Sequence, residues 1–155
     1  MVISPANFEE MNLVRQLFLE YAQSLGFSLC FQGFEQELKE LPGKYAVPDG
    51  TLLLAWENNE AVGVVGLRRL DANSAEMKRL YVRPNQRGKK LGRQLAEAII
   101  GEAKRLGYSS IKLDTVPTMK EARLLYVELG FVTVPAYYDN SACDSICMEK
   151  QITPE

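Results

Sequence analysis

The chain contains no histidine among its 155 residues. Without an imidazole, Ser-His-Asp and Cys-His nucleophilic catalysis are excluded, and zinc loses its commonest nitrogen ligand. Acid–base chemistry then falls to carboxylates, tyrosine, lysine or cysteine, and no metal is expected. Cysteine is scarce: Cys30, Cys143 and Cys147 are odd in number, and the last two share the parity of one strand face. Buried thiols are expected rather than a disulfide framework. No run approaches the ~20 apolar residues that span a bilayer, and the opening MVISPANFEE lacks a basic stretch followed by an apolar one. A cytoplasmic chain with no membrane partner is the expectation.

Excess charge is missing too. The formal net charge is -2, which argues against a surface that coats nucleic acid, so no nucleic-acid partner is expected. The positive charge is local instead: Arg83, Arg87, Lys89, Lys90 and Arg93 lie in a segment with no acidic residue. Hydrophobic residues at 46% and charged residues at 25% are ordinary for a globular chain, and the length suffices for one core. With no repeat, low-complexity tract or linker, residues 1–155 are read as a single domain.

Hydrophobic periodicity sets out the elements. From about Asn7 to Leu25, Phe8, Met11, Val14, Leu17, Phe18 and Tyr21 form one helical face, with Asn7 as its cap. A second helix is expected over roughly Phe31 to Leu41, ended by Pro42-Gly43. Thr51 to Glu57 and Ala61 to Arg69 read as hairpin strands, and Ala75 to Val82 as the next strand. A helix follows from about Lys90 to Leu106, stopped by Gly107. Ser110 to Thr115 is a strand, Thr118 to Leu129 a helix capped by Thr118 and ended by Gly130, and Phe131 to Val134 a strand. Ser145 to Lys150 is expected to close the sheet. Two helices, a strand-rich middle and then alternating elements imply an α+β fold with a mixed α/β sheet.

The segment from Glu76 to Arg93 places a basic turn containing Gly88 and Gly92 between a strand and a helix. Free N–H groups at a helix start carry partial positive charge, glycine lets backbone approach oxygen atoms, and Arg and Lys neutralise charge. An anion site is expected there. The turn matches neither the Walker pattern nor the dinucleotide GxGxxG fingerprint, so a different phosphorylated ligand is required.

Three motifs together resemble the GNAT superfamily of N-acetyltransferases. Arg87 to Gly92 is similar to the family's loop pattern Arg/Gln-x-x-Gly-x-Gly/Ala, with Lys90 where the first patterned glycine is usual. Lys90 can be accommodated there if it already has helical geometry and its side chain points outward. Ala122-Arg-Leu-Leu-Tyr-Val-Glu-Leu-Gly-Phe131 resembles the signature Ala-x-x-Leu-Tyr-x-x-x-Gly-Phe, and Glu76 to Pro84 resembles the strand before the loop. The resemblance spans roughly residues 51 to 149. It implies a central, mostly antiparallel sheet flanked by helices, with acetyl-CoA as co-substrate. Leu80, Tyr81 and Val82 would hold pantetheine by their backbone, while Arg87, Gly88, Lys89, Lys90, Leu91, Gly92 and Arg93 would surround the pyrophosphate.

For the chemistry, an alkylammonium of pKa near ~10.4 must lose a proton before attacking a thioester. By the resemblance, Glu76 is the candidate base; it is also readable as an exposed edge carboxylate or a partner of Lys78 or Arg68. Tyr126 is the candidate acid for the departing thiolate, or alternatively a core aromatic beside Ala122, Leu125 and Leu129. Met119 stands where many relatives carry a coenzyme-contacting asparagine. For the acceptor, Phe27, Phe31, Phe34, Tyr45, Tyr137, Tyr138, Glu35 and Arg68 are candidates, with packing the competing role for each aromatic. Arg68 and Arg69 should face opposite sides, so that one reaches the cleft and an acceptor carboxylate. The leading function is transfer to a small-molecule primary amine, an amino acid or related metabolite included. The alternatives are a protein or peptide N-acetyltransferase, or a non-catalytic acyl-CoA sensor. A homodimer is the assembly that the resemblance suggests.

Overall fold

A computed structural model of the chain describes residues 2–25, 33–137 and 145–155. In chain order the strands are β1 (Val2–Pro5), β2 (Thr51–Glu57), β3 (Glu60–Arg69), β4 (Ser74–Val82), β5 (Ser110–Thr115), β6 (Val132–Val134) and β7 (Ile146–Gln151). The helices are α1 (Met11–Ser24), α2 (Phe34–Glu40), α3 (Leu91–Arg105) and α4 (Lys120–Glu128). The strands form one seven-stranded sheet in the order β1-β2-β3-β4-β5-β7-β6. All neighbouring pairs are antiparallel except β4 with β5. The mixed, mostly antiparallel sheet flanked by helices is the architecture expected from the sequence.

Both sheet faces are covered, which explains the near-continuous apolar runs of β2 and β3. Leu53 and Ala55 join Leu95, Ile99, Ile111 and Leu113 on the α3 face. Their neighbours Leu52 and Leu54 pack with Val14, Leu17 and Phe18 of α1 on the other face. Alternate residues thus serve opposite layers.

Several boundaries differ for physical reasons. Asn7 and Glu10 form a reciprocal capping box, but around a 3-10 turn at Phe8–Glu10 rather than the first turn of the helix. That tighter turn rotates Phe8 off the buried stripe of Met11, Val14, Leu17 and Phe18, leaving it 80% exposed. Thr118 does not cap α4: Met119 occupies the N-cap with no side-chain hydrogen bond, after a turn closed from the Met119 N–H to the Val116 carbonyl at 3.0 Å. Gly107 and Gly130 do end their helices, at φ 93 and 98. β7 inserts between β5 and β6, so β6 is the edge. β1 pairs with β2 without having been expected. Phe27, Cys30, Phe31, Tyr138 and Cys143 lie outside the described residues.

Candidate active site

The site begins where β4 and β5, the only parallel pair among the described residues, come apart. β4 and β5 pair only from Ser74 to Glu76 against Ser110 to Lys112. Beyond that point Met77 to Leu80 and Leu113 to Val116 line an open cleft, closed by Tyr21 and Leu25, by Met119 and Tyr126, and by Ser145. A β-bulge accompanies the separation. Val64 pairs with Tyr81 and Gly66 with Lys78, so Val65 faces both Arg79 and Leu80. Arg79 has φ 61, the conformation by which an extra residue bends a strand. The bulge also resets the alternation: Ala75, Met77, Leu80 and Val82 meet the α3 core, whereas Tyr81 joins the α1 side.

At the end of β4 the chain enters the basic turn. Gly88 has φ 87, and Lys90 is left-handed at φ 59 and ψ 24, immediately before α3. This corrects the helical geometry considered for Lys90 and gives the reason glycine suits the position: a Cβ is disfavoured at such a φ. Among the described residues, none of the backbone N–H groups from Gly88 to Arg93 donates to a protein acceptor. Arg87 and Lys89 are exposed; Arg87 Nε donates to the Val82 carbonyl at 3.3 Å and Lys89 Nζ to Gln86 Oε1 at 3.1 Å. Arg93 bridges Glu97 and Glu128 at 2.8 and 3.1 Å. Leu91 is buried beneath the turn and anchors it to the core. Of the strand residues Leu80, Tyr81 and Val82, Leu80 lines the cleft, while the Tyr81 hydroxyl turns to Glu20 at 3.3 Å.

These features fit acetyl-CoA. Consecutive N–H groups at a helix start suit a pyrophosphate. The β4 backbone beyond Glu76, without a strand partner on its β5 side, suits the amides of a pantetheine arm.

On the opposite sheet face Glu76 is 1% exposed. Its Oε1 lies 2.6 Å from Arg68 Nε and 3.8 Å from Lys78 Nζ, and the Tyr137 hydroxyl donates to Oε2. Glu76 is therefore a partner of both Arg68 and Lys78, not an exposed edge carboxylate. Burial, and after it the Glu76 charge, push the Tyr137 phenol far up. Burial pulls Lys78 below its ordinary value, opposed by Glu76. Arg69 faces away and meets Asp49 at 3.2 Å, as the alternation predicts. Arg79 donates to both oxygens of Glu37 at 3.0 Å and stacks over Phe34 at 5.2 Å, while the Tyr45 hydroxyl also reaches Glu37 at 3.0 Å. Phe34 and Tyr45 are thus packed, and Glu35 is exposed.

Tyr126 lines the cleft from α4, edge-to-face with Phe131 at 5.8 Å. Burial, then the charges of Tyr21 and Asp114, raise its phenol well above the ordinary range. It stays protonated and able to donate. Sequence reasoning missed Asp114, Arg79 and Glu37. The signal for Asp114 was the alternation in Ile111-Lys-Leu-Asp-Thr115, which turns Lys112 and Asp114 away from the core holding Ile111 and Leu113.

Comparison with known proteins agrees with this geometry. Residues 13–131 match the acetyltransferase (GNAT) family. The chain is 38% identical over 147 residues to an uncharacterized N-acetyltransferase of Schizosaccharomyces pombe, with 94% of this chain and 90% of that protein covered. It superposes on an acetyltransferase from Streptococcus agalactiae with a TM-score of 0.81 at 24% identity, over 97% of this chain and 98% of that one. For yncA from Salmonella typhimurium, solved with its cofactor acetyl-CoA, the TM-score is 0.70 at 20% identity, over 97% and 92% of the two chains. With the strand separation, the N–H cradle and these likenesses together, the chain belongs to the acetyltransferase (GNAT) family.

Proposed function

We propose that this acetyl-CoA-dependent N-acetyltransferase delivers the acetyl group to the primary amine of a small molecule, an amino acid or related metabolite included, by direct transfer in a ternary complex. The observation that carries the reading is the cleft between β4 and β5, with a phenol, a lysine and a carboxylate on its walls; β4 runs on into the basic turn, where among the described residues the N–H groups from Gly88 to Arg93 donate to no protein acceptor. Leu80, Tyr81 and Val82 offer backbone to the pantetheine arm, and Arg87, Gly88, Lys89, Lys90, Leu91, Gly92 and Arg93 hold the pyrophosphate. Tyr126 donates to the departing sulfur. Glu76 fixes Arg68, Lys78 and Tyr137 around the acceptor, and its enclosure by all three argues against direct contact with the amine.

Ion pairs that pin the covering helices support a small acceptor over a peptide. Glu20 holds Arg83 at 2.9 Å and Glu37 holds Arg79 at 3.0 Å, so α1 and α2 are tied down beside the cleft. Direct transfer is supported by Cys147, a buried thiol that burial makes less acidic and so a poor nucleophile. A thiol-release assay with acetyl-CoA across amino acids, polyamines, aminoglycosides and short peptides tests the reading. Release with free small amines supports it, release only with peptides replaces it with a peptide acetyltransferase, and coenzyme binding without release replaces it with a sensor.

A further inference from the structure

Ala75 and Met77 of β4 face the α3 core, so regular alternation would carry Arg79 to that core as well. A guanidinium there would be buried among Leu95, Ile99 and Leu113 without a counter-charge. The bulge prevents this. With Val65 facing both Arg79 and Leu80, Leu80 takes the place toward α3 and Arg79 turns to α2 on the other side. The turn brings Arg79 to φ 61, a conformation that is costly for any residue bearing a Cβ.

A clamp from α2 offsets that cost. Nε of Arg79 donates to Glu37 Oε2 and a terminal nitrogen to Oε1, both at 3.0 Å, and the guanidinium lies over the Phe34 ring at 5.2 Å. The side chains are 3% and 18% exposed, and a planar two-point pair fixes direction as well as charge. Glu37 is braced in turn, because the Tyr45 hydroxyl donates to Oε2 at 3.0 Å. The Tyr45 ring packs against Gly66, where a Cβ would stand 2.8 Å from it, and Gly66 pairs with Lys78 at the start of the bulge. Carboxylate, phenol and ring therefore bear on one place in β4. That place is also cleft wall: Met77, Lys78, Arg79 and Leu80 line it where β5 has parted from β4.

We propose that Glu37 and Arg79 are positioning residues for the co-substrate: through this pair α2 holds the β4 bulge, and the bulge sets how strongly β4 takes the pantetheine arm of acetyl-CoA. This rests on the reading above that the β4 backbone receives that arm. Neither side chain needs to touch the coenzyme. With the clamp released, the strained backbone at Arg79 relaxes, and only the fraction of molecules that keeps the bulge binds the arm at full strength.

The test measures calorimetrically the binding of acetyl-CoA and of 3′-phospho-ADP, the nucleotide end of the coenzyme without its pantetheine arm, below the Tm of each variant. Glu37→Gln should bind acetyl-CoA roughly tenfold more weakly, the effect of one left-handed L-residue's strain on an equilibrium, and bind 3′-phospho-ADP as wild type does. Two double variants remove both charges and differ only in whether residue 79 takes positive φ without strain: Glu37→Gln with Arg79→Gly, and Glu37→Gln with Arg79→Ala. The glycine form should bind acetyl-CoA about tenfold more tightly than the alanine form, with 3′-phospho-ADP equal on the two. Neither double variant buries an unpaired charge of the clamp, so their comparison stands even where Glu37→Gln alone does not fold. Equal acetyl-CoA affinity of the two double variants, wild-type affinity in Glu37→Gln, or parallel loss of both ligands overturns the proposal. Where wild type gains no affinity for acetyl-CoA over 3′-phospho-ADP, the assignment of the pantetheine arm to β4 falls, and the proposal with it.

Discussion

Replacing Lys90 by glycine probes how the basic turn before α3, the proposed pyrophosphate site, is built. Lys90 stands at φ 59 and ψ 24 as the N-cap of α3, with no side-chain hydrogen bond to repay the conformation. A left-handed L-residue costs roughly 1–2 kcal/mol. Glycine removes that cost but loses about 0.5–1 kcal/mol through the greater freedom of its unfolded chain. The balance favours glycine by about 0.5–1 kcal/mol, which for a chain of this size raises Tm by about 1–4 °C. Lys90→Ala is the control, since it removes the same cation but keeps the strain. Thermal unfolding followed by circular dichroism, without acetyl-CoA, should rank Lys90→Gly above both wild type and Lys90→Ala. If Lys90→Gly melts at or below Lys90→Ala, backbone strain at this position is refuted. Acetyl-CoA binding by Lys90→Gly should also depend less on salt than wild type, because one exposed cation is gone.

Three further outcomes follow from the site. Tyr126→Phe should lower kcat by about 10²-fold or more with acetyl-CoA affinity near wild type, as for a proton donor used in the transition state; equal fluorescence-titrated affinity and equal turnover would return Tyr126 to packing. Since burial first, and the Asp114 charge among the lesser causes, raise its phenol, wild-type turnover should show no loss from Tyr126 ionisation as pH approaches 10. Glu37→Ala strips the bidentate partner from Arg79, whose side chain is 3% exposed, and should cost about 3–5 kcal/mol of stability in urea unfolding.

Much of the sheet was legible because local rules sufficed. β2 and β3 declare themselves by apolar runs buried on both faces, and Gly107 and Gly130 mark helix ends because each takes positive φ. The cradle was legible as glycines and cations between a strand and a helix. The rest depends on distant partners. β1 is four residues ended by Pro5 and exists through β2. The left-handed turn at Lys90 leaves no mark in a Lys-Lys pair. Glu76 reads equally as a base or a partner until Tyr137, some sixty residues on, is seen to cover it.

The bulge at Arg79 shows why the site's charges were harder to place than its glycines. Strict alternation from Glu76 would put Lys78, Leu80 and Val82 on one face. The extra residue opposite Val65 instead returns Leu80 and Val82 to the α3 core and sends Tyr81 to the α1 side. What holds this arrangement lies across the molecule, because Arg79, turned into the left-handed region, is gripped by both oxygens of Glu37 on α2. The strand distortion beside the cleft is thus secured from the helix on the opposite face. Periodicity within β4 contains no trace of a carboxylate that far away in sequence, so the faces of this strand follow from tertiary contacts, and the cleft chemistry with them.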